Sequence, residues 1–169
     1  MPRRSVRCVL LALLAGAAPS LAHAQHRGEL GLLAGPSPYD LSGTGTGFAA
    51  KATLTLDPGL RAIAIEPGLG YFRYTDQGGA TVTYLLPEVS VQLRAHSGAI
   101  RPYLGAGAGL ARASAAGASA TDLTLHGALG LRVPLSSNWS LRAEARLRSV
   151  DPFTGNMMDL GFGIGRLVF

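Results

Sequence analysis

The chain has 169 residues, 47% of them hydrophobic and only 15% charged, with 23 glycines, one cysteine and a formal net charge of +5. That apolar content excludes a disordered chain, and the glycines lack the three-residue period of collagen. A single cysteine excludes a disulfide framework or a cysteine-based metal site, and the length suits one domain.

Residues 1–24 read as a cleaved signal peptide. Arg3, Arg4 and Arg7 form a basic start, Val9 to Ala18 an apolar stretch, and Ala22-His23-Ala24 a small-x-small cleavage site before Gln25. The stretch is shorter than the roughly 20 apolar residues of a spanning helix. Cys8 lies within this segment and lacks the small residues that precede a lipoprotein cysteine. Removing the segment takes three of the 15 basic residues, leaving 12 against 10 acidic and a net charge of +2. No basic cluster survives, so nucleic acid is not an expected partner. No second helix-length apolar stretch follows. A glycine-rich, sparsely charged chain without one has a single way to cross a bilayer, a closed barrel.

The rest, residues 25–169, divides into eight strand-like runs bounded by Gly, Pro, Asn, Asp or Ser: 28–35, 47–56, 60–74, 80–95, 99–113, 121–134, 138–150 and 157–169. In the fourth run Val89, Val91 and Leu93 oppose Glu88, Ser90, Gln92 and Arg94. In the sixth Leu123, Leu125, Leu129, Leu131 and Val133 oppose Thr124, His126, Gly130 and Arg132. The seventh is the clearest: Trp139, Leu141, Ala143, Ala145 and Leu147 alternate with Ser140, Arg142, Glu144, Arg146 and Arg148. On a helix those charges would wrap every side; on a strand they share one face. Alternation alone suits both a soluble β-sandwich and a barrel.

Two features favour the barrel. Turns at Asp57-Pro58-Gly59, His96-Ser97-Gly98 and Ser136-Ser137-Asn138 fall on one side if the chain starts in the periplasm. The aromatics then sort by depth, with Tyr103, Trp139 and Phe169 near periplasmic strand ends and Tyr71, Phe72, Tyr74 and Tyr84 near extracellular ones. Two such girdles are what interfacial Trp and Tyr build. The chain also ends on Phe169, with Leu167 on the same face. In that eighth run Gly161, Gly163 and Gly165 share the face of Phe169, a thin lipid surface unless a bulge near Gly165 turns Phe162 and Ile164 outward.

Glu66-Pro67-Gly68-Leu69-Gly70-Tyr71, Leu86-Pro87-Glu88-Val89 and Pro102-Tyr103-Leu104-Gly105-Ala106-Gly107 resemble segments of small eight-stranded outer-membrane β-barrel domain proteins, and the likeness extends over residues 25–169. It departs from the family's terminal pattern at Ile164, where glycine is frequent. The resemblance implies delivery by periplasmic chaperones and insertion by the barrel assembly machinery, with Leu167 and Phe169 as the assembly signal.

Glu29, Glu66, Glu88 and Glu144 share the expected lumen with Lys51, Arg94, Arg101, Arg132, Arg142, Arg146, Arg148 and Arg166. Eight strands leave a bore just wide enough for side chains to fill, so interleaved Arg–Glu pairs are expected, as a structural plug. The excess of arginine keeps a narrow basic pore as the alternative. His126 and Glu144 both point inward, which invites comparison with outer-membrane lipid A deacylases and their Ser–His–Glu set. In those enzymes the serine lies two residues after the histidine. Here that position is Ala128, and Ser136 belongs to a turn, so the nucleophile is missing.

Gly105-Ala106-Gly107-Ala108-Gly109 is not a phosphate loop, because no helix follows it; its glycines leave room for bulky arginines opposite. His26, His96 and His126 show no metal-ligand spacing. Neither a cofactor nor a metal is expected. Met157 and Met158 read as packing residues. Extracellular loops at 36–46, 75–79, 114–120 and 151–156 are short. The expectation is therefore all-β: a monomeric, eight-stranded, antiparallel, transmembrane up-and-down barrel in the cell outer membrane. Both termini are periplasmic, and outer-membrane lipid and lipopolysaccharide surround it. Its role is structural or interactive at the envelope, with a lipid-modifying enzyme as a third reading.

Overall fold

The computed structural model describes residues 28–38, 46–60, 62–75, 79, 81–115, 117–151 and 155–168. Eight strands run in order: β1 (Gly28–Pro38), β2 (Thr46–Leu56), β3 (Ile63–Thr75), β4 (Thr81–Arg94), β5 (Arg101–Ala115), β6 (Ala118–Pro134), β7 (Trp139–Val150) and β8 (Gly155–Leu167). Each pairs antiparallel with its sequence neighbours. The barrel closes where β1 meets β8, in a register from Glu29 opposite Leu167 to Ala34 opposite Phe162. The start of β1 and the end of β8 share one end with the turns after β2, β4 and β6; this is called the terminal end below, and the other the loop end.

Alternation sorts the side chains as a two-residue period requires. Exposed leucines, isoleucines and aromatics stand on the outside of every strand, among them Leu32, Leu69, Val91, Leu129, Leu141 and Phe162. The largest fully buried side chains are Arg146 and Arg148. A soluble sandwich would bury the leucines and solvate the arginines. This chain does the reverse, so the sandwich reading falls and the all-β barrel stands.

Several boundaries differ from the sequence expectation. No seven-residue loop separates β5 from β6, because β5 runs to Ala115 and β6 starts at Ala118, with Gly117 at φ +83°. The Ala/Ser run there alternates without contrast, so its strand character carries no hydropathy signal. Pro67 and Pro87 lie outward within β3 and β4, in pairing with Val89 and Leu69 across that hairpin. Neither has an N–H to give the next strand. The β2–β3 ladder accordingly skips from Thr53–Gly68 to Leu56–Ile65, and the β4–β5 ladder from Leu85–Arg112 to Glu88–Gly109.

In β8 the sequence expectation is corrected. The ladder to β7 is unbroken from Trp139–Arg166 to Val150–Gly155, so no bulge exists in it. Phe162 and Ile164 face outward in plain register, and Gly165, Asp159 and Met157 face inward. Leu167 shares the inward parity and lines the lumen at the terminal end, so it is not a lipid-facing partner of an aromatic terminus. Phe169 lies outside the described residues, as do residues 1–27 with the expected signal peptide.

Candidate functional site: the lumen

The lumen is built around β7, which climbs from the terminal end with an inward charge at every second residue. At about 3.4 Å rise per residue, Arg142, Glu144, Arg146 and Arg148 stand about 7 Å apart along it. Arg142 donates to the Thr53 hydroxyl at 2.9 Å and to Tyr103 Oη at 3.1 Å, and pairs with Glu66 at 2.9 Å. Thr55 donates to the same Glu66 carboxylate at 2.7 Å. Glu144 accepts from Lys51, from Tyr103 Oη at 2.8 Å and from Arg146 Nε at 3.0 Å. Arg146 also pairs with Glu88 and approaches Glu66 at 3.7 Å. Arg148 holds Glu88 at 3.2 Å, pairs with Asp159, and lies 4.9 Å from the Phe72 ring centre. Nearer the terminal end, Arg132 pairs with Glu29 at 3.4 Å.

The charges balance. Lys51, Arg132, Arg142, Arg146 and Arg148 face Glu29, Glu66, Glu88, Glu144 and Asp159. Buried charges without partners would be costly, and interleaving offsets part of that cost. Asp159 escaped the sequence reading, because assigning β8 the wrong face pointed this acid at lipid. The expected arginine excess disappears for a second reason. Arg94 and Arg101 sit at the terminal mouth, where Arg94 pairs with Asp57 at 2.5 Å and Arg101 reaches the Gly98 carbonyl at 3.4 Å. Arg166, expected in the lumen, lies outside, its guanidinium 5.4 Å from the Trp139 ring centre.

The aromatic girdle is also corrected. Tyr71 and Trp139 are exposed on the outer wall as expected, but Tyr84 and Tyr103 are buried inside, and so is Phe72. Their depth was right and their face wrong: Tyr103 shares the parity of Gly105 and Gly107, and Tyr84 that of Glu88. Phe72, Tyr84 and Leu86 join Ala49, Ala111 and Met157 in an apolar layer above the ion pairs, toward the loop end.

Inward glycines let side chains from strands two apart meet. Tyr103 opposes Gly130, which opposes Glu144, and the tyrosine crosses over Gly130 to reach that carboxylate. Ser90 opposes Gly107, which opposes His126, and the Ser90 hydroxyl lies 2.8 Å from His126 Nε2. Gly107 and Gly109 thus make room for His126 and Glu88 rather than for arginines. With Nδ1 of His126 3.7 Å from Glu88, the structure supplies the Ser–His–Glu set that the sequence lacked in local spacing. All three are buried, and arginines 146 and 148 hold the carboxylate.

Two cavities are described among these residues. One, of about 300 Å³, opens at the terminal end between Glu29, Gln92, Arg94, Arg101, Arg132 and Ser140. The other, of about 10 Å³, lies beside Lys51, Phe72, Glu144 and Asp159. Ser90, Glu88 and His126 line neither. Among the described residues no group of three His, Cys, Asp or Glu side chains is placed to hold a metal.

A closed eight-stranded barrel with leucines outside and paired charges inside defines a class, the barrels that stand in a bacterial outer membrane. The outer membrane protein beta-barrel domain family matches residues 8–165, and the chain belongs to it. Membership places the protein in the outer membrane. Among solved structures, Neisserial surface protein A aligns with a TM-score of 0.63 at 18% identity, over 85% of this chain and 96% of that one. A major outer membrane protein of Thermus thermophilus gives 0.64 at 12%, over 86% and 100%. The N-terminal barrel of Pseudomonas aeruginosa OprF gives 0.52 at 14%, over 85% and 97%. At these identities the likeness is one of fold. No curated protein matches the chain.

Proposed function

We propose that the protein is a monomeric, non-conducting and non-catalytic barrel that serves the cell envelope as a structural or interaction element. The observation that carries this is the filling of the bore: a charge-balanced network crossed by every rung of β7, capped by the apolar layer of Phe72, Tyr84, Leu86 and Met157. Ions crossing it would have to part paired buried charges, at a cost of several kcal/mol each. The terminal end faces the periplasm, where the short turns after β2, β4 and β6 lie, as in barrels of this class. The outer wall meets outer-membrane lipid and lipopolysaccharide. The chain arrives after loss of residues 1–24, through periplasmic chaperones and the barrel assembly machinery.

A narrow pore is the second reading, favoured by the cavity of about 300 Å³ that opens into the lumen from the terminal end. Planar-bilayer recording separates the two. A closed barrel gives no discrete steps, and Arg146→Ala with Phe72→Ala opens them. Steps in the unaltered protein, lost on changing lumen arginines, would establish the pore. Orientation is tested by placing single cysteines at Ser119 and Ser137 and labelling whole cells with an impermeant maleimide; only Ser119→Cys should react.

A further inference from the structure

Six of the eleven buried polar side-chain atoms without a partner among the described residues lie in the terminal cup. Gln92 is 1% exposed, and neither its amide nitrogen nor its oxygen has one. Arg132 Nε, Arg94 Nε, Ser140 Oγ and Glu29 Oε1 share that state, and all of these residues line the same cavity. Five others are dispersed through the rest of the lumen, at Glu66, Thr124, His126, Arg142 and Arg146, and neither described cavity reaches them, so the cup is where such atoms meet open space. Burying such groups unmet costs free energy, so something meets them. Water does so when nothing else is present.

The composition of the shortfall selects among solutes. It is mostly donors: an amide NH2, two guanidinium N–H groups and a hydroxyl, against one carboxylate oxygen and one amide oxygen. The fixed charge has the same sign. Arg94 pairs with Asp57 and Arg132 with Glu29, while Arg101 at the rim has no acidic partner among the described residues, only the Gly98 carbonyl. A volume of about 300 Å³ lies at the lower end of the range for small-molecule pockets. Leu167 and Pro134 add apolar wall. We infer that the cup is a binding site for a small organic anion bearing a carboxylate or phosphate group, bound by the spare donors of Gln92, Arg132 and Arg101.

Only the direction of entry, from the periplasm, rests on the orientation proposed above. Binding itself is independent of it, so a detergent measurement tests the inference separately. Citrate, inorganic phosphate and neutral glucose are titrated into the refolded barrel in non-ionic micelles, with the Gln92 side-chain amide followed by NMR. Citrate or phosphate should shift that amide saturably, and glucose should not; which of the two binds more tightly tells carboxylate from phosphate preference. Arg101→Gln, a change at the half-exposed rim, should weaken binding roughly tenfold without altering thermal unfolding. Gln92→Leu, which replaces an unpartnered amide by an apolar side chain, should keep the fold and abolish the binding heat of citrate or phosphate in titration calorimetry, a readout that does not need the amide. No saturable shift with either anion would mean a cup filled by water alone and would overturn the inference. So would binding indifferent to Arg101→Gln, or glucose binding as well as the anions.

Discussion

Tyr103 lies across its paired neighbour Gly130 so closely that a Cβ on the glycine would clash with the tyrosine Cζ. The ring cannot swing aside freely. Its hydroxyl donates to Glu144 at 2.8 Å and accepts from Arg142 at 3.1 Å, and the Arg142 guanidinium lies 5.4 Å from its centre. Gly130→Ala should therefore destabilise the refolded barrel by about 1–3 kcal/mol, the usual cost of overpacking a filled interior. Urea unfolding in micelles reads this as a lower midpoint at unchanged slope. An unchanged midpoint would mean the ring does not cross the glycine.

Arg146 is the centre of the ion network, with Glu66, Glu88 and Glu144 all within reach. Arg146→Met removes one cation and leaves three carboxylates to share what remains. The expected loss is about 3–5 kcal/mol, as when one partner of a buried pair is deleted. Adding Glu88→Gln to Arg146→Met should restore part of it, because the lumen is then balanced again. If the double variant is less stable than Arg146→Met, charge balance does not govern this lumen.

The sequence made the barrel and most of its network legible for a simple reason. Where a strand sets arginine and glutamate against leucine, as β7 does from Trp139 to Arg148, polarity itself names the face. Where it does not, the reading failed. In β8 the glycines at 161, 163 and 165 carry no polarity, and Asp159 went to the wrong side with them. Tyrosine suits both a membrane interface and a polar lumen, so depth placed Tyr84 and Tyr103 correctly while their face had to come from parity with Glu88 and Gly105. Contacts such as Ser90 with His126 depend on the registers of three strands at once, and spacing within one strand cannot show them.

The corrected face of β8 makes a sharp contrast. Phe162 is 63% exposed on the outer wall at mid-strand, whereas Asp159 is buried against Arg148. Phe162→Arg should cost about 2–4 kcal/mol in lipid vesicles, the penalty for a cation near the bilayer midplane. In the opposite sense, Asp159→Leu should cost about 3–5 kcal/mol by leaving Arg148 with a single acid. Refolding yields and unfolding midpoints in phosphatidylcholine vesicles measure both. A tolerated Phe162→Arg together with a tolerated Asp159→Leu would return β8 to the other register.

The serine of the Ser90–His126–Glu88 set has the hydrogen bond of an activated nucleophile but not the surroundings of one. Ser90 is 1% exposed, and it also lies 3.4 Å from an Arg146 guanidinium nitrogen. Covalent catalysis needs the reacting carbonyl to approach within about 3–3.5 Å of the nucleophile, and neither described cavity touches it. Glu88, which would orient the imidazole, is instead clamped by Arg146 and Arg148. Packing suffices to account for the arrangement: His126 fills the space over Gly107 and finds a hydroxyl there. A serine-directed fluorophosphonate should leave the folded barrel unlabelled, and lipid A mass should be the same in cells with and without the protein. Ser90→Ala should lower stability by about 1–3 kcal/mol through the stranded imidazole nitrogen. Labelling at Ser90, or a change in lipid A mass that Ser90→Ala removes, would make the lumen a catalytic site reached by an opening of the barrel wall.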